Sequence, residues 1–389
     1  MKTCGRVALN TGCTLVHVIT SLGTGGAEAM LDKLTARLPR EGVVVVCLTE
    51  NGPIGERIAA RGVPVVALGL GRGQRGIAAL LRLLRDLRRQ RPRIVQTWLY
   101  HADLIGGLVA RAAGVRRIVW NVRNSGAALD RLSARTRLIV RLNAWLSHWI
   151  PQRILCCSET ARRNHIALGY AADKMVVIPN GFDIDRFAPS ADARAAVRHE
   201  LGLAEDTLLV GLVARFDPQK NHRGFVAVAR AVHHARPEVA FVLVGRGIDA
   251  GNDTLARWID EAGIASRVHL LGERADVARL TAALDVAVNT SLGEGFPNTV
   301  GEAMACGVPC VVTDVGDSAD IVGLTGRSVP AHDMPAFARQ VLDLLALPVD
   351  ERVRLGQSAR RRVAERYEID TVVARYRDFY ADLLERESR

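Results

Sequence analysis

The stretch Glu294-Gly-Phe-Pro-Asn-Thr-Val-Gly-Glu302 decides how the second half of the chain is expected to fold. Pro297 favours the first turn of a helix, where a missing N–H breaks no hydrogen bond. Gly307 and Pro309 follow at the spacing that ends a helix. We therefore predict a short helix that contains Glu302, preceded by a loop that contains Glu294.

The start of this predicted helix is suited to binding an anion. Backbone N–H groups in the first turn of a helix have no intrahelical partner and lie at the positive end of the helix dipole. Asn298 and Thr299 supply such groups, and a carboxylate stands on either side of them. The combination suits a nucleotide sugar, which carries both phosphates and hydroxyls. The same spacing also arises by chance, and Gly-Phe-Pro also forms ordinary turns.

Short apolar runs alternate with amphipathic stretches along the whole chain, a pattern typical of α/β proteins. The runs are nearly continuous in Val, Ile and Leu, which predicts parallel strands buried on both faces. The first predicted sheet has strands at Leu15–Thr20, Val43–Leu48, Val63–Leu68, Ile94–Thr97, Arg117–Val122, Ile154–Ser158 and Met175–Ile178. The second has strands at Leu208–Val213, Ala240–Val244, Val268–Leu271, Val286–Asn289 and Pro309–Thr313.

A chain of 389 residues is long enough for two or three domains. We expect one Rossmann-like domain over residues 1–186 and a second over residues 187–366, followed by a C-terminal helix over residues 367–389. A polar segment with Pro189 and Ser190 separates the two similar halves. Sheets of this kind bind ligands at the carboxyl ends of their strands, so the loops that follow strands are the candidates for a site.

Positive charge is concentrated in the first half of the chain. The net charge is +11, and residues 1–184 contain 27 Lys and Arg against 11 Asp and Glu, whereas residues 185–389 contain 25 against 30. This asymmetry predicts an anionic partner for the first half, such as phospholipid, a lipid diphosphate or nucleic acid. No helix-turn-helix, zinc-finger or RNA-recognition pattern accompanies the charge, so a nucleic-acid partner is disfavoured.

Two segments carry much of this charge. Arg72–Arg93 combines eight arginines with an apolar stripe of Ile77, Leu80, Leu84 and Leu87, and Arg131–Trp149 places Trp145 and Trp149 one helical turn apart. Basic helices with aromatic anchors suit an anionic membrane surface. Solvated helix faces of an arginine-rich protein are the alternative.

The cellular setting is indicated by what the sequence lacks. The sequence contains no run of about 18 apolar residues, which is the length needed to span a membrane. Seven cysteines show neither disulfide nor zinc spacing, which predicts a reducing, cytoplasmic compartment. We therefore expect a cytoplasmic protein, docked peripherally on the inner face of the membrane if the basic half binds lipid.

The loop after the first strand of the second half carries two cations. Gly211-Leu-Val-Ala-Arg-Phe-Asp-Pro-Gln-Lys-Asn-His222 places Arg215 and Lys220 close together in sequence. A guanidinium pairs with phosphate oxygens in a fork, and an ammonium adds a compact positive charge. Together with the helix start at Asn298, they would suit a ligand that carries phosphate. A solvated surface pair is the alternative.

Three loops of the first half are further candidates. Gly25 and Gly26 lie between the first strand and a helix, where glycine lets the backbone approach a ligand, although the loop matches neither a dinucleotide fingerprint nor a P-loop. His101 follows the strand at Ile94–Thr97, where a capping or packing role is the alternative. Arg123 follows another strand, and an ordinary loop arginine is equally consistent with its position.

The motifs together resemble the retaining GT-B glycosyltransferases, and glycosyltransferase family four in particular. The Glu294–Glu302 string resembles the E-x7-E signature of that family, and Arg215 with Lys220 resembles its Arg-x4-Lys pattern. The Gly-Gly-Ala-Glu string at Gly25 is similar to the family's first loop. The resemblance implies an α/β GT-B fold, with two Rossmann-like parallel-sheet domains facing an interdomain cleft and a C-terminal helix, residues 367–389, that crosses back onto the first domain.

The resemblance also implies roles for individual residues. Glu294 would contact the hydroxyls of the donor sugar and Glu302 those of the ribose, and His101 is placed like the family's histidine at the reaction centre. Glu294 and His101 are thus the catalytic candidates. The residues assigned to the donor are Gly25, Gly26, Arg215, Lys220, Phe296, Asn298, Thr299 and Glu302. Arg123 is assigned to an acceptor phosphate.

The implied reaction is retaining transfer of a sugar from a nucleoside-diphosphate sugar to a cell-envelope or lipid-linked glycan, without a metal and without a cofactor. The run Val315-Gly-Asp-Ser-Ala-Asp320 resembles bacterial lipopolysaccharide, capsule and exopolysaccharide enzymes. A nucleotide-sugar 2-epimerase of the same fold is the alternative enzyme. Gly245-Arg-Gly247 departs from the family pattern, in which the middle residue is usually acidic, so the nucleotide base is left open.

Overall fold

The computed structural model describes residues 14–70, 74–127 and 133–385. Within them the chain forms two compact units. One unit runs to Gly181 and resumes at Asp370, and the other comprises Phe182–Ile369. The domain limits predicted from the sequence fall at 186/187 and 366/367.

The first unit is built on a seven-stranded sheet in which the paired strands are parallel, with the order β3-β2-β1-β4-β5-β6-β7. Every residue of the central strand β1 is buried, as expected for a sheet covered by helices on both faces. The strands are β1 (Leu15–Ile19), β2 (Val43–Cys47), β3 (Val65–Ala67), β4 (Ile94–Trp98), β5 (Ile118–Val122), β6 (Arg153–Cys156) and β7 (Met175–Val177).

Helices connect these strands, because parallel neighbours need a crossover. They are α1 (Gly26–Arg37), α2 (Pro53–Ala60), α3 (Gln74–Gln90), α4 (Tyr100–Ala112), α5 (Ala134–Leu146) and α6 (Glu159–Ala167). The register sets Leu15 of β1 opposite both Val43 of β2 and Ile94 of β4. The strand order therefore reverses between β1 and β4.

The second unit repeats the plan with six strands in the order β10-β9-β8-β11-β12-β13. The strands are β8 (Leu209–Val213), β9 (Ala240–Val244), β10 (Val268–Leu270), β11 (Val286–Asn289), β12 (Cys310–Thr313) and β13 (Arg327–Val329). The helices are α7 (Ala191–Glu200), α8 (His222–Ala235), α9 (Asp253–Glu261), α10 (Val277–Ala282), α11 (Asn298–Ala305), α12 (Ser318–Val322), α13 (Met334–Ala346) and α14 (Val349–Tyr367). Here the order reverses between β8 and β11.

The predicted strands are confirmed within one or two residues at their ends, with one omission. Strand β13 was not predicted, because its three residues Arg-Ser-Val form no apolar run and its middle residue is exposed. Strand β13 pairs with β12 at the edge of the sheet, where Val312 lies opposite Ser328. Tertiary pairing rather than local pattern produces it.

The C-terminal region is two helices. Helix α14 ends at Tyr367, and α15 (Ile369–Glu385) begins after Glu368, which forms a parallel bridge with Phe182. From Asp370 onwards α15 belongs to the first unit. The Arg117 guanidinium of that unit donates to the Leu383 carbonyl over 2.8 Å.

Candidate functional site

The strand order of the second unit brings two distant loops together. Strands β8 and β11 are hydrogen-bonded neighbours at the point where the order reverses. In open parallel sheets, ligands bind at the carboxyl ends of the strands at such a point. The loop after β8 carries Arg215 and Lys220, and the loop after β11 carries Glu294. The sheet thus places the predicted cations and the first predicted glutamate at one site.

Glu294 lies in the loop after β11, as predicted, and is buried, with 8% of its surface exposed. Its Oε1 accepts hydrogen bonds from the Lys220 ammonium at 2.5 Å, the Ser291 hydroxyl at 2.7 Å and the Asn289 amide at 3.5 Å. Asn289 in turn accepts the backbone N–H of Ser291 at 3.2 Å. A buried carboxylate is stable when it is paired and hydrogen-bonded in this way.

Lys220 is held by a short 3₁₀ turn, Pro218–Lys220. The Asp217 carboxylate caps this turn by accepting the Gln219 N–H at 2.8 Å. The chain then reverses at Asn221, which has φ +52°, and the Asn221 side chain caps α8 through Gly224. Two successive caps therefore fix the position from which the lysine reaches Glu294.

Arg215 is half-exposed and is held by the same aspartate. Its guanidinium donates to Asp217 Oδ2 at 3.0 and 3.2 Å. One carboxylate therefore both orients the arginine and caps the turn that carries Lys220. The sequence analysis assigned no role to Asp217.

Helix α11 begins at Asn298 with Pro297 as its N-cap residue, and it contains Glu302. The predicted arrangement of a loop glutamate, a helix start and a helical glutamate is confirmed. Asn298, Thr299 and Glu302 are all half-buried.

The ring of Phe296 is buried in an aromatic cluster. It stacks on Phe182 with ring centroids 6.0 Å apart, and it meets Tyr367 edge-on at 5.5 Å. This packing anchors the loop just before α11. The predicted contact between Phe296 and a donor would therefore use its backbone rather than its ring face.

The loop after β12 supports the same site from the other side. Gly316 has φ +59°, and a Cβ at this position would collide with the backbone carbonyls of Glu294 and Gly295. The Asp317 N–H donates to the Gly295 carbonyl at 3.3 Å. Only glycine combines this backbone conformation with so close an approach. The sequence analysis quoted Gly316 but gave it no role in shaping the site.

In the first unit the strand order reverses between β1 and β4, so the loops after these two strands lie at the corresponding position. Gly25 is the N-cap residue of α1, which starts at Gly26. A Cβ on Gly25 would collide with the Glu28 carboxylate, which accepts from the Ser21 hydroxyl at 3.4 Å. Burial raises the pKa of Glu28. A side chain at position 25 would therefore have to displace the Glu28 carboxylate.

His101 is the second residue of α4 and is half-buried. Burial, assisted by the positive charge of Arg135, lowers its pKa, which favours the neutral imidazole. The residue before the helix, Leu99, has φ +73°. A branched side chain in this region is strained, and such strain is concentrated at functional sites.

Asp103 holds this turn in place. It is fully buried, and its Oδ1 accepts from the Thr97 hydroxyl at 2.6 Å and from the Asn121 N–H at 3.4 Å. Burial raises the pKa of this carboxyl to about 7. Asp103 therefore joins β4, β5 and the first turn of α4, rather than capping that helix from outside.

Arg123 follows β5 and is half-buried within the first unit. Its guanidinium lies 5.6 Å from the centroid of the Trp98 ring, and it donates to Asn121 Oδ1 at 3.4 Å and to the Tyr376 hydroxyl at 3.3 Å. Tyr376 belongs to α15. These contacts fix the arginine through the C-terminal helix, a partnership that sequence analysis did not find.

Among the described residues, no group of three or more His, Cys, Asp and Glu is arranged to hold a metal ion. In the same ranges, no helix is both long and apolar enough to cross a bilayer.

Comparison with known proteins gives one family match in each of the two units. Residues 24–186 match the family described as Glycosyltransferase Family 4, and residues 207–347 match the one described as Glycosyl transferases group 1. The chain is 26% identical over 363 residues to UDP-Gal:alpha-D-GlcNAc-diphosphoundecaprenol alpha-1,3-galactosyltransferase of Escherichia coli, covering 89% of this chain and 91% of that protein.

Two further similarities extend the comparison. D-inositol 3-phosphate glycosyltransferase of Xylanimonas cellulosilytica is 33% identical over 230 residues, or 56% of this chain and 54% of that protein. The crystal structure of Anabaena HepE in complex with UDP and glucose superposes with a TM-score of 0.84 at 21% identity, covering 95% of this chain and all of that one. The fold is of the GT-B type, and the family matches and relatives identify the chain as a glycosyltransferase. The two family matches together make it a glycosyltransferase similar to those of family 4.

Proposed function

We propose that this enzyme transfers a sugar from a nucleoside-diphosphate sugar to a lipid-linked or cell-envelope glycan, with retention of the anomeric configuration. The observation that carries the proposal is the pairing of Lys220 with the buried Glu294, beside Arg215, at the strand-order reversal of the second unit. Cations at this position match the charge of a diphosphate, and the carboxylate matches sugar hydroxyls.

The leaving diphosphate gains negative charge as the bond to the sugar breaks. Arg215, Lys220 and the first amides of α11 are positive groups already fixed before the reaction. Preorganised charges of this kind stabilise a transition state without further rearrangement. We therefore propose that neither a divalent metal nor a cofactor is needed. Turnover that is unchanged in EDTA would support this, and loss of turnover restored by Mg²⁺ or Mn²⁺ would refute it.

Glu294 suits the recognition of hydroxyl groups. The three hydrogen bonds that described residues give to its carboxylate all reach Oε1, so Oε2 is the oxygen directed to a hydroxyl of the donor sugar. A carboxylate already paired with an ammonium is a poor nucleophile. We therefore propose that Glu294 orients the sugar, and that the departing phosphate accepts the proton of the acceptor hydroxyl.

The acceptor proposal rests on charge and on one relative. The E. coli relative acts, by its name, on a diphosphoundecaprenol-linked sugar. A lipid diphosphate acceptor would match the basic first half of this chain, where 27 Lys and Arg face 11 Asp and Glu. We propose such an acceptor, a role in polysaccharide or lipopolysaccharide synthesis, and a peripheral position on the anionic inner face of the membrane. Arg123 is proposed to bind an acceptor phosphate, and His101 is proposed to act at the reaction centre against the donor sugar.

A panel of nucleotide sugars tests the donor proposal. Saturation-transfer NMR and thermal shift without added metal should identify one donor, and Lys220→Ala should abolish the response. Arg257→Ala is the matched control, because this arginine is 66% exposed and its partner Glu261 lies 3.9 Å away on the surface of α9. No response to any nucleotide sugar would refute the donor site. Release of an epimerised free sugar without acceptor would refute the transfer reaction.

A further inference from the structure

Helix α5 of the first unit exposes large apolar side chains. Leu138 is 57% exposed, Leu142 39%, Trp145 61% and Trp149, just beyond the helix, 56%. The two tryptophan rings contact each other edge to face, with centroids 4.8 Å apart. We call these four residues the α5 stripe. Exposed apolar residues scattered singly are ordinary, but four in helical register form a continuous surface.

The α5 stripe lies opposite the face that packs on the protein. The spacing of 4, 3 and 4 residues along the stripe follows the period of about 3.6 residues per turn, so its members share one side of the helix. The buried residues Ile139, Val140, Asn143 and Ala144 occupy the opposite side. Much of the apolar surface of the stripe is therefore left outside the core of the unit.

Positive charges flank the α5 stripe. At about 100° per residue, Arg135 and Arg141 lie about 60° to either side of its line. Both are exposed. A helix with an apolar ridge between arginines matches a surface of anionic headgroups over hydrocarbon, where tryptophan is favoured.

The N-terminal end of α5 lies near the candidate reaction centre of the first unit. Helix α5 packs against α4, the helix that begins beside His101. The Arg135 charge is near enough to His101 to act on its pKa. A lipid-borne acceptor held against α5 would therefore lie near the helix that carries His101.

We propose that the α5 stripe inserts into the headgroup region of an anionic bilayer and positions the enzyme on the surface that carries its acceptor. This inference deepens the peripheral membrane position of the proposed function by naming the surface that docks, and its link to the acceptor rests on that function. Arg72 and Arg131, which the sequence places in the two basic segments, lie outside the described residues, as does the side chain of Arg75. In α3, which contacts α4, Leu87 is buried while Ile77 and Leu81 are exposed. The apolar stripe predicted there at Ile77, Leu80, Leu84 and Leu87 is therefore split between core and surface.

Vesicle co-sedimentation tests the insertion. The purified full chain is mixed with vesicles of phosphatidylglycerol and phosphatidylcholine, or of phosphatidylcholine alone. We expect binding to the anionic vesicles, weakened at least tenfold in a Trp145→Ser/Trp149→Ser variant. Leu324→Ser is the matched control, because Leu324 is 96% exposed in the second unit and should not affect binding. Arg135→Gln/Arg141→Gln should weaken binding and reduce its dependence on salt.

The outcomes separate docking from catalysis. The tryptophan variant should keep its thermal shift with the nucleotide-sugar donor and its activity on a short-chain, water-soluble acceptor, while it loses activity on the same acceptor anchored in vesicles. Unchanged vesicle binding in that variant overturns the proposal. The proposal is also overturned if sedimentation velocity shows a wild-type dimer that the tryptophan variant abolishes, while the variant still binds vesicles. Failure of the proposed transfer reaction would show instead as wild-type binding to vesicles without turnover of any nucleotide sugar.

Discussion

Replacing Lys220 by Met tests the ion pair on which the donor site depends. The substitution keeps a long apolar stem and removes the ammonium that lies 2.5 Å from Glu294 Oε1. It leaves a carboxylate that is 10% exposed with only Ser291 and Asn289 as donors. The consequence is both a loss of stability and a loss of charge at the reaction centre.

The two losses have different expected sizes. Breaking a fully buried pair costs about 3–5 kcal/mol, and because the Lys220 side chain is 20% exposed we expect about 1–3 kcal/mol. For a unit of this size, that lowers Tm by about 2–4 °C per kcal/mol. Removing one preorganised charge from a transition state lowers kcat by about 10²–10³-fold. We expect a fall of that order in kcat with the identified donor.

Combining Lys220→Met with Glu294→Gln separates these effects. The double variant no longer contains a buried unpaired charge, so its stability should recover by more than about 0.5 kcal/mol relative to the sum of the single variants. Its activity should not recover. Urea unfolding and initial-rate kinetics measure the two quantities. Additive stabilities would show that the pair is uncoupled, and a fall in kcat below about tenfold in Lys220→Met would refute its role at the donor.

Three further predictions concern the supporting residues. Asp217→Asn keeps an oxygen that can cap the turn but removes the carboxylate that pairs with Arg215. Nucleoside diphosphate should therefore bind about two- to fivefold tighter, measured by calorimetry, and weaker binding would contradict this. Gly316→Ala should cost about 1–3 kcal/mol of unfolding free energy and disturb donor binding, because the residue has φ +59° against the Glu294 backbone; an unchanged Tm would be inconsistent with that crowding. Burial raises the pKa of Asp103 to about 7, so the folded state binds this proton more tightly than the unfolded state. The contribution of this group to stability is therefore lost as pH rises from about 4 to 7. Asp103→Asn should therefore flatten that pH dependence relative to wild type, which unfolding curves across the range would reveal, and an unaltered slope would count against the assignment.

Much of the candidate site was predictable because its signals are local. Pro297 precedes α11 and Gly307 follows it, and these residues mark the two ends of the helix. A loop glutamate and a helical glutamate therefore followed from the sequence. Asp217 and Ser291 were missed, although each stands in a polar run directly after an apolar strand. Their roles depend on partners in other segments: Asp217 links Arg215 to a turn, and Ser291 donates to Glu294.

The sequence by itself determined the α/β class, the positions of twelve of the described strands, the family resemblance and the cations and glutamates of the proposed donor site. These features depend on periodicity, helix signals and short motifs, which act over a few residues. Only the tertiary structure decided that β8 lies beside β11, which brings Lys220 to Glu294 across 74 residues. It also decided that β13 joins the sheet edge and that the α5 stripe faces outward. Strand order and helix orientation are set by packing of the whole unit, and local sequence does not encode which of several apolar faces that packing buries.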